Sequence, residues 1–237
     1  MEPKISVLMS VYNEPIEWIK RSVNSVLEQS YKNKEIIVIV DNPDNLAATE
    51  YLIEKKKVYS NLTVEINSKN IGLVKSLNKG LKLCSGSYIA RMDADDYSYK
   101  DRLIKQIAYM SKHNLDIVGC NIILNNGENK VEKRSIVFPL FCKRMVKYCT
   151  CVAHPTWLAK REVYDELKGY RNIDACEDFD FLNRAVLRGY RIGNMPETLF
   201  EYRINESSIS SIKKYKQYTL MRFISAHYCK SYEVSID

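Results

Sequence analysis

The N-terminal part of the chain alternates between two hydrophobic periods. "ISVLMSVY" (Ile5 to Tyr12) is an unbroken apolar run, the pattern of a strand covered on both faces. Asn13, Glu14 and Pro15 punctuate it, and Pro15 suits the opening of a helix, with Ile16, Ile19, Val23, Val26 and Leu27 following at helical spacing. "EIIVIV" (Glu35 to Val40) predicts a second buried strand, stopped by Asp41, Asn42 and Pro43, and then a weaker helix from about Leu46 to Lys57. "LTVEI" (Leu62 to Ile66) predicts a third strand, followed by "NSKNIG" and a helical stripe of Leu73, Val74, Leu77, Leu81 and Cys84. "SYIARM" (Ser87 to Met92) predicts a fourth strand that runs straight into "DADD". The β-α-β-α-β-α-β order predicts an α/β fold with a parallel sheet between helices, because parallel neighbours need crossover connections.

The remainder is less regular. Leu103, Ile104, Ile107 and Met110 mark a helix, "LDIVGC" a strand, and Asn126-Gly127 a hairpin turn. A helix is expected from Leu140 to Tyr148. "HPTWLAK" reads as a strand with a short helix after it. "EDFDFLNRAVLRGY" predicts a helix to about Arg188 with Gly189 at its C-terminal cap, and "LFEYRI" a strand. From Ile212, "IKKYKQYTLMRFISAHYCK" predicts a basic amphipathic helix. No repeat, low-complexity stretch or linker divides the chain, so one domain is expected.

Composition narrows the class. A chain of 237 residues that is 46% hydrophobic can bury a sizeable core and is not disordered. The net charge of +7 favours anionic partners (nucleotides, phosphorylated lipids, membrane surfaces or nucleic acid), or else the modest excess of Lys only keeps the protein soluble. The seven cysteines form no C-x-x-C pair, which argues against zinc; several lie in apolar patterns, and a reducing compartment, the cytosol, fits them. The N-terminus does not read as a signal peptide, since its apolar run is short and charges follow at once. No run of 18 or more apolar residues is present, so no membrane span is expected.

In open α/β sheets, ligands bind outside the carboxyl ends of the strands. Those ends carry Tyr12, Asn13 and Glu14; Asp41; Lys69 and Asn70; and Asp93, Asp95 and Asp96. The turn after the first strand, "YNEPIE", lacks the glycines of a dinucleotide fold, and no P-loop is present. Amides of a glycine loop therefore do not hold phosphates here. "DADD" offers the hard oxygen ligands that Mg²⁺ or Mn²⁺ prefers, and Mg²⁺ takes only one or two carboxylates beside substrate phosphate. The bland alternative for "DADD", and likewise for Glu177 and Asp178 in "CEDFD", is an acidic first turn complementing a helix dipole.

"SVYNE", Asp41 after a hydrophobic strand, "NIG", "DADD" and "ACEDFD", in this order, resemble family 2 nucleotide-sugar glycosyltransferases with the GT-A fold. The later "HPT" and "YRINESSIS" look like the bacterial branch that builds capsules and O-antigens. The resemblance covers Ile5 to Ser211 and implies a GT-A-like, Rossmann-like, mostly parallel sheet. Residues 1–98 would form the nucleotide-sugar half and 99–211 the acceptor half, with 212–237 a basic helix.

The resemblance also implies roles. Tyr12, Glu14 and Asp41 would line the nucleoside pocket, with Asn70 at its border. Asp93 would face the ribose and the metal, Asp95 would be the main ligand of Mn²⁺ or Mg²⁺, and Asp96 would support the sugar or the loop. Arg91 would contact the donor or pair with the aspartates. Asp178 would be the base that takes the acceptor's proton, its pKa pushed up by Glu177 and Asp180 against the lowering effect of the helix N-terminus. His154 and Glu177 would meet the acceptor or diphosphate, His154 being otherwise a polar loop residue before Pro155. Arg203 would neutralise the diphosphate, or else pair with Glu201. The implied reaction is inverting transfer of a hexose from a UDP-sugar to a saccharide acceptor, lipid-diphosphate-linked, at the inner face of the cytoplasmic membrane. Nucleic acid is not an expected partner, because the acidic edge would repel it.

Two rival readings remain open. "DADDY" resembles the D-x-D-x-T of aspartate-nucleophile phosphohydrolases, although Tyr97 stands where Thr is expected. A non-enzymatic basic membrane-binding module is the other. In the last helix, Lys213, Lys214, Lys216, Arg222 and Lys230 lie among Ile212, Tyr215, Tyr218, Phe223 and Ile224. That pattern suits either packing with a solvated cationic face or contact with an anionic bilayer.

Overall fold

The four apolar runs form β1 (Ile5–Val11), β2 (Lys34–Val40), β3 (Leu62–Ile66) and β4 (Tyr88–Asp93), connected by α1 (Ile16–Leu27), α2 (Leu46–Val58) and α3 (Leu73–Leu83). The structure is a computed structural model describing residues 2–135, 137, 139–173, 175–205 and 213–227. All four strands pair in parallel, β1 lying between β2 and β4, and β3 outside β2. Successive strand residues serve opposite layers. Val7, Met9, Ile36, Val38, Ala90 and Met92 pack towards α1, α2 and α4 (Arg102–His113). Leu8, Ile37, Ile39 and Ile89 pack towards α3 and the helices of the C-terminal half. Burial on both faces is why β1 and β2 read as continuous apolar runs, whereas the edge strand β3 is only partly covered.

The sheet then departs from pure parallel order. After β5 (Tyr97–Ser98) and α4 come β6 (Ile117–Asn125), β7 (Lys130–Lys133), α5 (Pro139–Met145), β8 (Leu158–Lys160), α6 (Arg161–Glu166), α7 (Glu177–Leu187), β9 (Ile192–Arg203) and α8 (Lys214–Ala226). The described strands form one nine-stranded sheet in the order β3-β2-β1-β4-β8-β6-β9-β5, with β7 on β6. Strand β8 runs antiparallel to both β4 and β6, whereas β6 and β9 are parallel. The Asn126-Gly127 turn is the hairpin expected, with Gly127 at φ +92° and Asn125 opposite Lys130. Gly189 caps α7 at φ +90°.

Three expectations need correction. "HPTWLAK" is not one strand: His154–Thr156 is a 3₁₀ turn and only Leu158–Lys160 pairs. Pro155 has no N–H to give a ladder, and the N–H groups of Thr156 and Trp157 close back on the carbonyls of Ala153 and His154. The helix expected to reach Tyr148 ends at Met145 and continues only as a turn. The strand around "LFEYRI" begins seven residues earlier than Leu199, at Ile192, because a bulge opposite Asn121 absorbs Pro196 and Glu197. Ile212, Lys230 and the "ESSIS" part of "YRINESSIS" lie outside the described residues. No helix among the described residues is long and apolar enough to cross a membrane.

Candidate active site

The carboxyl ends of β1, β2 and β4 face the N-terminus of α7. Strand polarity alone gathers Tyr12 and Glu14, Asp41, and Asp93 to Asp96 at one edge of the sheet. Tyr12 is 43% exposed, and its N–H donates to Glu14 Oε2 at 2.7 Å. Glu14 is held above the ordinary carboxylate range, first by burial and then by repulsion from Asp93.

Asp41 is buried and organises the loop after β3. Its Oδ1 accepts from Asn67 Nδ2 at 2.8 Å and from the Ile71 N–H at 2.9 Å, and its Oδ2 from the Gly72 N–H at 2.9 Å. Asn70 Oδ1 also accepts from the Gly72 N–H, at 2.9 Å. The "NIG" loop is thus fastened to the end of β2. Asn67, which no sequence pattern singles out, completes the network; its only signal is its place in "NSKNIG".

Arg91 and Asp93 lie on the same face of β4, as residues two apart in a strand must. Arg91 is fully buried, and its Nη2 meets Asp93 Oδ1 at 2.5 Å while Nη1 donates to the Met92 carbonyl. Its charge also acts on Glu14, Asp96, His154, Glu177 and Asp178. It is a fixed cation beneath an edge of acids. Ser22 Oγ of α1 donates to the Asp93 carbonyl at 2.7 Å, fixing the strand end.

Asp95 is raised to about 7, by burial first and then by Asp93 and Glu14. Asp96 is buried and raised well above the usual range by burial, Asp93 and Asp95. One of its oxygens accepts from the Arg203 N–H at 2.8 Å, while Oδ2 is buried with no hydrogen-bond partner. Asp96 therefore ties the acidic loop to the end of β9.

That tie depends on β5, an element too short for hydrophobic periodicity to reveal. Tyr97 pairs with Glu201 there, so the "DADD" turn and β9 meet. Tyr97 is thus a strand residue. Arg203 does not pair with Glu201, which is buried with Arg21 at 2.7 Å and Lys130 at 2.9 Å. Its Nε instead donates to the Asp95 carbonyl at 3.1 Å, and its guanidinium lies 4.4 Å over the Trp18 ring.

At the facing helix, Glu177 is buried and Asp178 partly exposed. Glu177 is pushed up to about 8, by burial first and then by Asp178. Asp178 is pushed up to about 6 by burial, with Asp93 adding to it, while the Phe179 N–H, 2.7 Å from Oδ1, opposes. The leading causes are burial and Asp93 rather than the expected Asp180, which is buried and pairs with Arg184 at 2.7 Å.

His154 is buried, with Nε2 2.8 Å from the Tyr170 hydroxyl and its ring edge-on to Trp157 and Tyr170. Burial and the nearby Arg91 hold it well below its usual pKa, so it is neutral. It forms part of the aromatic wall around Arg91, with Tyr164 and Tyr170.

Among the described residues, no three His, Cys, Asp or Glu side chains form a ready-made metal cage. A Mg²⁺- or Mn²⁺-type site needs less than that, because substrate phosphate and water complete its shell. The crowding of Asp93 and Glu14 that helps lift Asp95 to about 7 is what a divalent cation at Asp93 and Asp95 would relieve. The donor set therefore fits such an ion.

Residues 6–188 match the family described as glycosyl transferase family 2. The O-antigen biosynthesis glycosyltransferase WbnJ of Escherichia coli is 32% identical over 96% of this chain and 96% of its own length. The putative glycosyltransferase EpsE of Bacillus subtilis is 32% identical over 85% of this chain and 73% of its own. Among solved structures, S. aureus TarS 1-349 in complex with UDP-GlcNAc superposes with a TM-score of 0.77 at 21% identity, covering 98% of this chain and 68% of that one. The mannosyltransferase PcManGT from Pyrobaculum calidifontis, in complex with GDP-Man and Mn²⁺, gives 0.72 at 18% identity, covering 95% and 64%. At such identities the likeness is one of fold, and it is the GT-A fold that the resemblance implied.

Proposed function

The chain belongs to glycosyl transferase family 2, and on that premise we propose that it transfers a hexose from a UDP-sugar, with inversion, to a saccharide acceptor during surface polysaccharide biosynthesis. The name of the Escherichia coli relative, an O-antigen biosynthesis glycosyltransferase, supports a setting of this kind, and the UDP-GlcNAc complex of TarS supports a uridine donor. A lipid-diphosphate-linked saccharide is the acceptor class in this reading.

One observation carries the proposal: the acids at the sheet edge and the acid at the start of α7 are electrostatically linked through Asp93 and Arg91, and Asp178 sits near pKa 6. A carboxylate there is ionised at neutral pH and still basic enough to take a proton as the acceptor oxygen bonds to carbon. Attack from the side opposite the diphosphate inverts the anomeric centre, giving a β-glycoside from an α-linked donor. Tyr12, Glu14 and Asp41, with the loop that Asp41 fastens, bound the nucleoside space. Arg203, stacked on Trp18, and buried Arg91 supply positive charge for the diphosphate. Bound Mn²⁺ or Mg²⁺ at Asp93 and Asp95 would add charge neutralisation to the leaving diphosphate.

The test is a panel of nucleotide sugars scored for thermal stabilisation with and without Mn²⁺, followed by transfer assays and anomeric analysis of the product by NMR. Metal-dependent stabilisation by a UDP-sugar and a β-linked product are expected. Retained configuration, or full activity of Asp178→Asn, would overturn the assignment.

A further inference from the structure

Two neighbouring segments carry cations and rings and no acid of their own. Residues 139–153, comprising α5 and the turn after it, contain Lys143, Arg144 and Lys147 and no Asp or Glu. Helix α8 contains Lys214, Lys216 and Arg222 and again no acid. Tyr215, Tyr218 and Arg222 follow one another at i, i+3 and i+7, so they share one side of α8. That side is exposed, Tyr215 to 86% and Tyr218 to 60%.

The opposite side holds the helix in place. Gln217 Nε2 donates to the Ala175 carbonyl at 2.9 Å, and Ile224 packs on Ile173, Cys176 and Phe179. Ser225 Oγ donates to the Lys147 carbonyl, which brings the turn after α5 alongside. Tyr148, itself 63% exposed, shares a cavity of about 330 Å³ with Tyr218 and Arg222. A second cavity of about 520 Å³ continues past Tyr215 and Lys214.

Single exposed tyrosines are ordinary; a continuous set of rings rimmed by cations is not. Rings with a polar tip suit the headgroup level of a bilayer, and clustered Lys and Arg suit its anionic surface. Duplex nucleic acid is the less favoured partner, because the acidic sheet edge acts on the same stretch of α7 that α8 packs against.

We propose that the α5–α8 face docks the protein on an anionic phospholipid bilayer. Gln217 is bonded to Ala175, two residues before Glu177 and three before Asp178, so docking sets the α7 end of the site beside the lipid surface. Presentation of a lipid-linked acceptor at that surface rests on the function proposed above; docking itself does not.

The experiment is co-sedimentation of the full chain with vesicles of equal phosphatidylglycerol and phosphatidylcholine, against vesicles of phosphatidylcholine alone, with no sugar donor present. Binding to the mixed vesicles is expected, weakened by salt, with little on neutral ones. K214E/R222E should lower partitioning at least about tenfold, since each cation near the surface contributes on the order of 1 kcal/mol. Tyr218→Ser should lower it further while circular dichroism stays unchanged. Transfer to a water-soluble acceptor should persist in these variants. Equal partitioning of wild type and variants, binding to neutral vesicles alone, or preference for duplex DNA over vesicles would each overturn the docking proposal. Loss of all transfer with docking intact would instead count against the catalytic reading.

Discussion

Arg91, fully buried beneath the acidic edge, meets the carboxylate of Asp93, one-third exposed and two residues further along β4, at 2.5 Å. The pair joins the interior of the sheet to its reactive rim. Removing one partner of such a pair leaves charge without compensation, at a cost of about 3 kcal/mol when the other partner is partly solvated. Arg91→Met is expected to lower the denaturation midpoint accordingly and to abolish most transfer. Arg91→Lys should recover only part of both, since one ammonium cannot bond Asp93 and the Met92 carbonyl in the same fork. Chemical denaturation and single-turnover assays check it, and wild-type stability in Arg91→Met would rule the pairing unimportant.

Asp178 is raised from its ordinary 3.8 to about 6. A base must be deprotonated to work, so transfer should rise with pH through about 6 and level off above it. At one pH unit below that midpoint the rate should be about tenfold under the plateau. Asp178→Asn should lose roughly 10²- to 10⁴-fold in turnover and retain donor binding. A pH–rate profile and nucleotide titrations measure both.

Glu177 carries the opposite consequence for stability. Its folded pKa is about 8 against an ordinary 4.5, so between these values the folded state binds more protons than the unfolded. This group's contribution is therefore favourable below about 4.5 and is lost as pH rises towards 8. Glu177→Gln, which cannot ionise, should be more stable than wild type at about pH 9 and gain nothing at about pH 4. Melting curves across that range suffice, and a constant difference at every pH would contradict it.

Gly72 sits at φ +86° and ψ 157°, a region nearly closed to side chains, although a Cβ there would meet no atom within 4 Å. The cost of Gly72→Ala is thus conformational, about 1–3 kcal/mol. It should also pull the Gly72 N–H away from Asp41, raising the KM for the donor more than it lowers kcat. Gly127→Ala, also at positive φ (+92°) but in the β6–β7 hairpin away from Asp41, serves as the control, with an unchanged KM.

Part of the site is legible in the order of residues alone. Tyr12, Glu14, Asp41 and the "DADD" acids group together because parallel strands all end on one edge, so residues that follow apolar runs must meet. Asp178 is placed only through resemblance, since nothing local to "CEDFD" says which sheet edge its helix faces. The "HPT" pattern offers His154 as an acceptor or diphosphate contact, whereas only the fold shows it packed against Trp157 and Tyr170. Nearness in sequence makes Asp180 a neighbour that should raise Asp178, yet a helix turns successive residues to different sides and sends it to Arg184.

Strands β1 to β4, their helices and the hairpin at Asn126-Gly127 follow from local pattern, because they depend on periods of two and 3.6 and on turn chemistry within a few residues. Three arrangements come from the packed fold instead: β8 enters antiparallel between β4 and β6, β5 pairs with β9, and Arg203 bonds Asp96 across 107 positions of chain. Contacts at such separation are selected by how packed layers fit and where buried charge finds a partner. No short stretch of residues encodes that choice.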